Sequence, residues 1–194
     1  MKKGNKENRK HPGSVRIIAG KWRGRKLPVR DLPGLRPSGD RCRETLFNWL
    51  QADIHGAVCV DLFAGSGALG LEAASRGAAE VILVEKLIVA AQDLRGVLLA
   101  LKADQVTVVE ANALQWLGSR PTRSLDIAFV DPPFALQLVT RTLELIRDGD
   151  CIRPGGFIYI ETARDAVVPI PGPGWETTHE KTMGDVRLLL LKKL

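Results

Sequence analysis

Strand-like and helix-like apolar patterns alternate along most of this chain, and this alternation constrains the fold more than any other feature. It is typical of a parallel sheet whose strands are joined by right-handed helical crossovers. The last two strand-like runs have no helix between them, so they must form an antiparallel hairpin at the sheet edge. The sequence therefore predicts an α/β fold with a seven-stranded sheet. Its strands are expected at 57–63, 80–85, 105–110, 125–131, 156–161, 175–181 and 186–192, and helices at 68–76, 87–102 and 135–148, with a short one through Trp116.

The segment before this pattern divides into a tail and a hairpin. Residues 1–14 are polar and lack apolar periodicity, which predicts a disordered basic tail. Strand-like runs at 15–20 and 25–29 predict a small β-hairpin, followed by a linker punctuated by proline and glycine. We therefore expect three parts: the tail, a hairpin with its linker over 15–37, and a main domain over 38–194.

The first helix of the main domain is predicted to begin at Ser38 or Asp40, either of which could cap it, and to end near Ala52. Its apolar residues recur at helical spacing, which predicts a buried stripe made of Cys42, Leu46, Trp49 and Leu50. Arg41 and Arg43 fall off this stripe and are expected to point elsewhere.

Positive charge is concentrated at the N-terminal end of the chain. Residues 1–50 contain 14 Lys and Arg against 4 Asp and Glu, whereas the rest of the chain has a net charge of −4. A basic segment on a mildly acidic body is typical of a protein that binds a polyanion. For residues 1–14 a solvated tail is the alternative. Over residues 15–43 the arginines alternate with apolar residues and glycines, which implies fixed structure.

The scarce residue types exclude several classes of protein. The three cysteines and three histidines are scattered, without metal-ligand spacing, so we expect no metal site and reduced thiols in the cytoplasm. No run of about 18 apolar residues is present, which argues against a membrane span. The charged N-terminus has no apolar segment behind it, so it is not a secretory signal.

The loop after the first strand of the main domain contains GSGALG, from Gly65 to Gly70, which matches G-x-G-x-x-G. This pattern marks dinucleotide-binding turns, where a pyrophosphate lies on a helix N-terminus, and a tight turn without a ligand is an alternative. Here the strand ends in Asp61, whose carboxylate would repel a pyrophosphate and attract a cation. S-adenosylmethionine carries a sulfonium and an ammonium group but no phosphate. The sequence therefore favours S-adenosylmethionine over NAD.

Polar residues after the next two strands extend this predicted site. Glu85, twenty positions after Gly65, ends the second strand and is expected to accept both ribose hydroxyls. Asn112 and Ala113 follow the third strand, where the adenine edge would lie. The predicted cofactor-binding residues are Asp61, Phe63, Ala64, Gly65, Gly67, Glu85, Lys86, Leu87, Asn112, Ala113 and Asp131.

The string DPPF, from Asp131 to Phe134, closes the fourth strand at the edge where ligands of open α/β sheets collect. A simple strand-to-helix turn is the alternative. Methylation of an exocyclic amine on a base needs such a group, because the lone pair of the nitrogen is delocalised until acceptors hold its hydrogens. The Asp131 carboxylate and the Pro132 carbonyl are the candidate acceptors, and Pro133 helps to keep that carbonyl rigid. Phe134 offers a stacking face to a base that is unpaired or flipped out.

Three longer segments narrow the interpretation. RIIAGKWRGRKL, GLRPSGDRCRETLFNWL and DLFAGSGALGLEAASRGA, together with DPPF, closely resemble the RsmD family of 16S rRNA (guanine-N2)-methyltransferases. The resemblance extends across nearly the whole chain. It implies a Rossmann-like, seven-stranded methyltransferase fold that uses S-adenosylmethionine, with a C-terminal antiparallel hairpin and a small N-terminal β-hairpin extension. The implied substrate is the N2 amine of one guanine, position 966 in the customary 16S numbering, in the small ribosomal subunit.

The resemblance also implies that the basic hairpin and the first helix contact rRNA and neighbouring ribosomal proteins. The predicted RNA-binding residues are Arg16, Lys21, Trp22, Arg23, Arg25, Lys26, Arg36, Arg41 and Arg43. Trp22 could stack on RNA or anchor the hairpin, and core packing is favoured. We expect a monomer without a membrane partner.

Two departures from the family pattern concern the adenine pocket. The chain has KLI after Glu85, where a polar or acidic pair is common, and Asn112 where aspartate is common. An amide oxygen could still accept from the adenine amino group. Two other functions stay open: a DNA adenine amino-methyltransferase, and a non-catalytic rRNA-binding assembly factor. The absence of a large DNA-reading insertion counts against the first, and the presence of Asp131 and Glu85 against the second.

Overall fold

The structure is a computed structural model that describes residues 13–28, 39–133 and 136–194. The predictions for residues 1–12, for Arg36 and Ser38 in the linker, and for Phe134 fall outside these described residues.

A short antiparallel hairpin precedes the main domain. It pairs β1 (Ser14–Arg16) with β2 (Lys26–Pro28), as the sequence predicts. The elements that follow are α1 (Asp40–Trp49), β3 (Val58–Asp61), α2 (Ala68–Ser75), β4 (Glu80–Glu85), α3 (Ile88–Leu101), β5 (Val106–Glu110), α4 (Ala113–Leu117), β6 (Leu125–Val130), α5 (Leu136–Asp148), β7 (Ile152–Ala163), β8 (Trp175–Met183) and β9 (Val186–Lys193).

Seven strands form one sheet in the order β5-β4-β3-β6-β7-β9-β8. The pairs from β5 to β7 are parallel, whereas β9 pairs antiparallel with both β7 and β8. The predicted α/β class and the C-terminal antiparallel hairpin at the sheet edge are therefore confirmed. The strand order reverses between β3 and β6, and ligands of open α/β sheets bind at such a switch point, outside the carboxyl ends of the strands.

Helices cover both faces of the sheet, because alternate strand residues point to opposite faces. On one face Cys59, Phe129 and Tyr159 pack against Phe47 of α1 and Leu94 of α3. On the other face, the strand residues next in sequence to those three pack against Trp116 of α4 and Leu143 of α5. No helix in the described part of the chain is long and apolar enough to cross a membrane.

Three details of the first helix and the fifth strand differ from the sequence predictions. Gly39 is the N-cap of α1 and Asp40 is its first residue, so Asp40 is not the cap. The helix ends at Trp49, whose ring is only partly buried and stacks on His179. Strand β7 begins at Ile152 rather than at 156, because Ile152 pairs with Leu125 across a bulge in β6–β7.

Candidate active site and RNA-facing surface

The glycine loop turns the chain from β3 into α2. Gly65 and Gly67 have positive φ angles of 52° and 76°, a conformation that favours glycine. A Cβ atom on Gly67 would lie 2.8 Å from a methyl group of Leu94. At Gly70 a Cβ would lie 2.2 Å from Leu83, so this glycine lets α2 pack closely on β4. The three glycines of the motif therefore serve the turn and the helix–sheet packing.

Asp61 ends β3 beneath this loop, and its carboxylate is almost fully buried. Oδ2 accepts a hydrogen bond of 3.0 Å from the Gly70 amide, whereas Oδ1 has no hydrogen-bond partner among the described residues. Burial raises the pKa of Asp61 to about 7; the amides of Gly70 and Phe63 oppose the rise, and the Glu85 carboxylate adds to it. A buried carboxylate with an unpartnered oxygen is an arrangement that a cationic ligand would stabilise.

Glu85, at the end of β4, holds the loop in place. Its Oε2 accepts from the Gly65 amide at 2.9 Å, and its Oε1 accepts from the Leu87 amide at 2.7 Å. The sequence analysis expected this carboxylate to accept ribose hydroxyls. Each oxygen already has one backbone donor, and a carboxylate oxygen can accept a second hydrogen bond. Glu85 can thus orient the loop and bind a diol at once.

Asn112 and Ala113, at the predicted adenine edge, differ in whether their polar groups already have partners. Asn112 is the N-cap of α4: its Oδ1 accepts from the amides of Leu114 and Gln115, at 2.9 and 3.4 Å. The expected use of this oxygen for an adenine amino group therefore competes with the cap. No described residue accepts a hydrogen bond from the Ala113 amide, which leaves that donor for a ligand. Lys86 and Leu87 are exposed beside it.

The described part of the DPPF motif follows β6 directly. Asp131 is partly buried, Pro132 is buried and Pro133 is exposed. Strand β6 lies next to β3, with Phe129 paired to Asp61. Asp131 is two residues beyond Phe129, so the backbones of Asp61 and Asp131 are separated by one strand spacing and two residues, roughly 8 Å. The tertiary structure thus brings the two predicted motifs to one edge of the sheet.

Comparisons with known proteins agree on one family. A family model described as "Conserved hypothetical protein 95" matches residues 15–192. The ribosomal RNA small subunit methyltransferase D of Escherichia coli K12 is 45% identical over 97% of this chain and 94% of its own length. The protein of the same name from Haemophilus influenzae is 43% identical over 96% of both chains. The chain belongs to the RsmD family.

Solved structures support the same conclusion. A candidate methyltransferase from Escherichia coli has a TM-score of 0.86 and 43% identity, and the match covers 93% of this chain and 98% of that one. A candidate methylase from Haemophilus influenzae has a TM-score of 0.82 and 40% identity, with 94% and 99% covered. The resemblance inferred from the sequence and the methyltransferase fold are both confirmed.

The hairpin of this RsmD-family chain exposes most of its basic side chains. Those of Arg16, Lys21, Arg23, Arg25 and Lys26 are exposed. Arg41, on the first turn of α1, is exposed as well. We call these six residues the basic face. Whether they contact RNA stays a prediction.

Trp22 and Arg43 do not belong to that face. Trp22 is buried in the main core, so the core-packing alternative is correct. Arg43 has no exposed surface, and the prediction that it contacts RNA is wrong. Its Nη2 donates to the Arg16 carbonyl at 3.0 Å and to Asp40 at 2.7 Å. Arg43 thus ties the hairpin to α1 from inside.

Glu72, which the sequence analysis did not single out, fixes the hairpin to α2. Its buried carboxylate accepts from the amides of Ile18 and Ala19, at 2.7 and 3.0 Å. It also pairs with Arg43 at 3.5 Å and with Arg76 at 2.8 Å. A signal for this role exists in the sequence, because Glu72 is the one charged residue in the helix segment ALGLEAAS. Such a residue needs a buried partner.

Ser75, one turn further along α2, makes a second attachment. Its Oγ accepts from the Trp22 amide at 3.0 Å and donates to the Ala19 carbonyl at 2.6 Å, and its carbonyl accepts from the Lys21 amide at 2.8 Å. Gly20 passes so close that a Cβ would lie 1.8 Å from the Ser75 carbonyl oxygen. The hairpin is therefore docked on the main domain.

Proposed function

We propose that this RsmD-family chain transfers the methyl group of S-adenosylmethionine to the N2 amine of one guanine in 16S rRNA, with the small ribosomal subunit as substrate. Relatives that are 45% and 43% identical carry the name ribosomal RNA small subunit methyltransferase D, which supports the rRNA part. The choice of guanine N2, and of position 966, rests on the family resemblance.

The adjacency of β3 and β6 carries the proposal. It puts Asp61, the carboxylate suited to a cation, and Asp131, the acceptor for an amine, at the carboxyl ends of neighbouring strands. A methyl donor and an exocyclic amine have to meet within a few ångströms, and this arrangement allows it. A dinucleotide site would have no use for the second carboxylate.

The residues present fit S-adenosylmethionine. The orphaned oxygen of Asp61 would face the positively charged end of the molecule, and Glu85 would hold the ribose hydroxyls. The Ala113 amide would donate to the adenine ring, beside the exposed side chain of Leu87. When bound, S-adenosylmethionine supplies a methyl group activated by its sulfonium.

Asp131 and Pro132 would prepare the amine. Their carboxylate and carbonyl oxygens accept its two hydrogens and hold the nitrogen near tetrahedral geometry, and the rigid prolines limit reorganisation. In this proposal Asp131 also takes up the proton that the amine loses, and Phe134 stacks on the base. The basic face would hold the phosphates around a base that is unpaired or flipped out. We further propose a cytoplasmic monomer with neighbouring ribosomal proteins as partners.

The test uses tritiated S-adenosylmethionine with small subunits, free 16S rRNA and duplex DNA from cells that lack this enzyme. We expect N2-methylguanine at a single rRNA site, and a loss of activity of about 10²–10³-fold in Asp131→Ala. An exposed-carboxylate variant, Asp104→Asn, is the matched control.

Two other outcomes would contradict the proposal in different ways. Label on DNA adenine would keep the chemistry and replace the substrate. RNA binding without transfer to any of the three substrates would leave a non-catalytic assembly factor.

A further inference from the structure

A second carboxylate, Glu161, lies beside Asp131 on the next strand, β7. Strands β6 and β7 are parallel, and Val130 pairs with Ile160, so Asp131, which follows β6, and Glu161, which lies within β7, are at the same level. Neighbouring strands are about 4.8 Å apart. Glu161 thus lies at the edge where the proposed acceptor amine is held, although the sequence analysis assigned it no role.

Tyr159 holds this carboxylate in place. Its ring is fully buried against Phe129, and its hydroxyl donates a hydrogen bond of 3.0 Å to Glu161 Oε2. Burial raises the pKa of Tyr159 well above its usual value, and the Glu161 and Asp131 carboxylates add to the rise. The hydroxyl therefore stays protonated and remains a donor at neutral pH, which fixes Glu161 as the acceptor.

Cys42 of α1 is buried in the core on the same side of the sheet as Tyr159. Burial raises the pKa of its thiol; the charges of Glu161 and Asp131 add to the rise, and Lys181 opposes it. Glu161 is only partly buried, whereas Tyr159 and Cys42 are buried. The carboxylate thus stands between the apolar core and a face that a ligand can reach.

We propose that Glu161 selects guanine as the acceptor base by accepting a hydrogen bond from its N1–H. This inference rests on the proposed function and names a residue that determines specificity at the same site. Guanine presents a donor at N1 next to its N2 amine, whereas adenine and 2-aminopurine present a lone pair at N1. A carboxylate attracts the first and repels the second.

The spacing of Asp131 and Glu161 would let each carboxylate accept a hydrogen bond from a different group of the same base. Asp131 would accept from the N2 amine and Glu161 from the adjacent ring N–H, so one edge of the base would reach across the neighbouring strands β6 and β7. A carboxylate has about four acceptor positions. The hydroxyl of Tyr159 occupies one of these positions on Glu161.

The experiment compares two acceptor bases in reconstituted small subunits. Their 16S rRNA carries either guanosine or 2-aminopurine riboside at the methylated position, and both bases keep the exocyclic amine. For the wild type we expect kcat/KM to favour guanosine by roughly 10- to 100-fold. In Glu161→Gln the amide can donate to the N1 lone pair, so the preference should fall at least tenfold. Comparing the two enzymes cancels the intrinsic difference between the amines.

Glu176→Gln, an exposed carboxylate on β8, is the matched control, and its preference should equal that of the wild type. Binding of S-adenosylmethionine, measured by calorimetry, should be unchanged in both variants. If Glu161→Gln does not fold, Glu161→Ala decides, because it removes the carboxylate that distinguishes the two bases, and the preference should again fall at least tenfold.

A preference that stays at the wild-type value in the decisive variant overturns the inference. A wild-type enzyme that does not methylate guanosine would instead overturn the proposed function.

Discussion

Replacing Asp61 by asparagine should stabilise the ligand-free protein while removing its ability to bind S-adenosylmethionine. The pKa of Asp61 rises from its ordinary value of 3.8 to about 7, mainly because the carboxylate is buried. One pKa unit corresponds to about 1.4 kcal/mol, so keeping this group ionised above pH 7 costs up to about 4 kcal/mol of folding free energy. An asparagine oxygen can still accept the Gly70 amide without carrying that charge.

The sign of the pH dependence follows from the direction of the shift. The folded pKa lies above the unfolded one, so the stability associated with protonated Asp61 is fully present below about pH 4 and is lost as the pH rises through about 7. The advantage of Asp61→Asn over the wild type should therefore increase between pH 4 and 7, by up to about 4 kcal/mol, and then level off.

The free energy of unfolding can be measured by urea titration at several pH values between 4 and 8, with tryptophan fluorescence as the signal. Asp104→Asn, an exposed aspartate, is the control and should follow the wild type. Addition of S-adenosylmethionine should raise the melting temperature of the wild type and leave Asp61→Asn unchanged. A difference between variant and wild type that does not vary between pH 4 and 8 would refute the reasoning.

The remaining predictions concern the docked hairpin. Glu72→Gln removes the buried anion that Arg43 and Arg76 share, leaves Arg43 paired with the exposed Asp40, and should lower the free energy of unfolding by about 3–5 kcal/mol in urea titrations; a loss under about 1 kcal/mol would mean that the network is not important. Gly20→Ala forces a Cβ against the Ser75 carbonyl, so it should cost more than about 1 kcal/mol and make the hairpin sensitive to limited proteolysis. Arg23→Ala should make the salt dependence of rRNA binding shallower by about 0.7–0.9 in log–log slope with kcat unchanged, whereas Arg141→Ala on the opposite face should not.

Local sequence patterns determined the secondary structure and the identity of the motifs. The strand EVILVE was predicted and found at Glu80–Glu85, because a short apolar run flanked by turn residues has few alternatives. The glycine motif and the proline pair were placed at strand ends correctly. Both judgements depend only on residues close together in the chain.

Only the tertiary structure decided which partner each polar side chain has. Arg43 belongs to a helix whose pattern suggested an exposed position, yet it is buried, because the hairpin carbonyl of Arg16 and the carboxylate of Glu72 meet it there. Besides Asp40 on the same helix, these two partners of Arg43 lie 27 and 29 positions away in the sequence, and helical periodicity does not report such distances. Asn112 likewise serves as a helix cap.

The pairing of strands also decided what the site contains. Asp61 ends β3, Asp131 follows β6 and Glu161 lies within β7, and these strands are neighbours in the sheet although they are far apart in the chain. The sequence identified two of these carboxylates from their motifs. It assigned no role to Glu161, because no local motif surrounds that residue and its proposed role comes from the strand beside it. Hydrophobic periodicity encodes which face of an element is buried, whereas the register between strands determines which side chains meet.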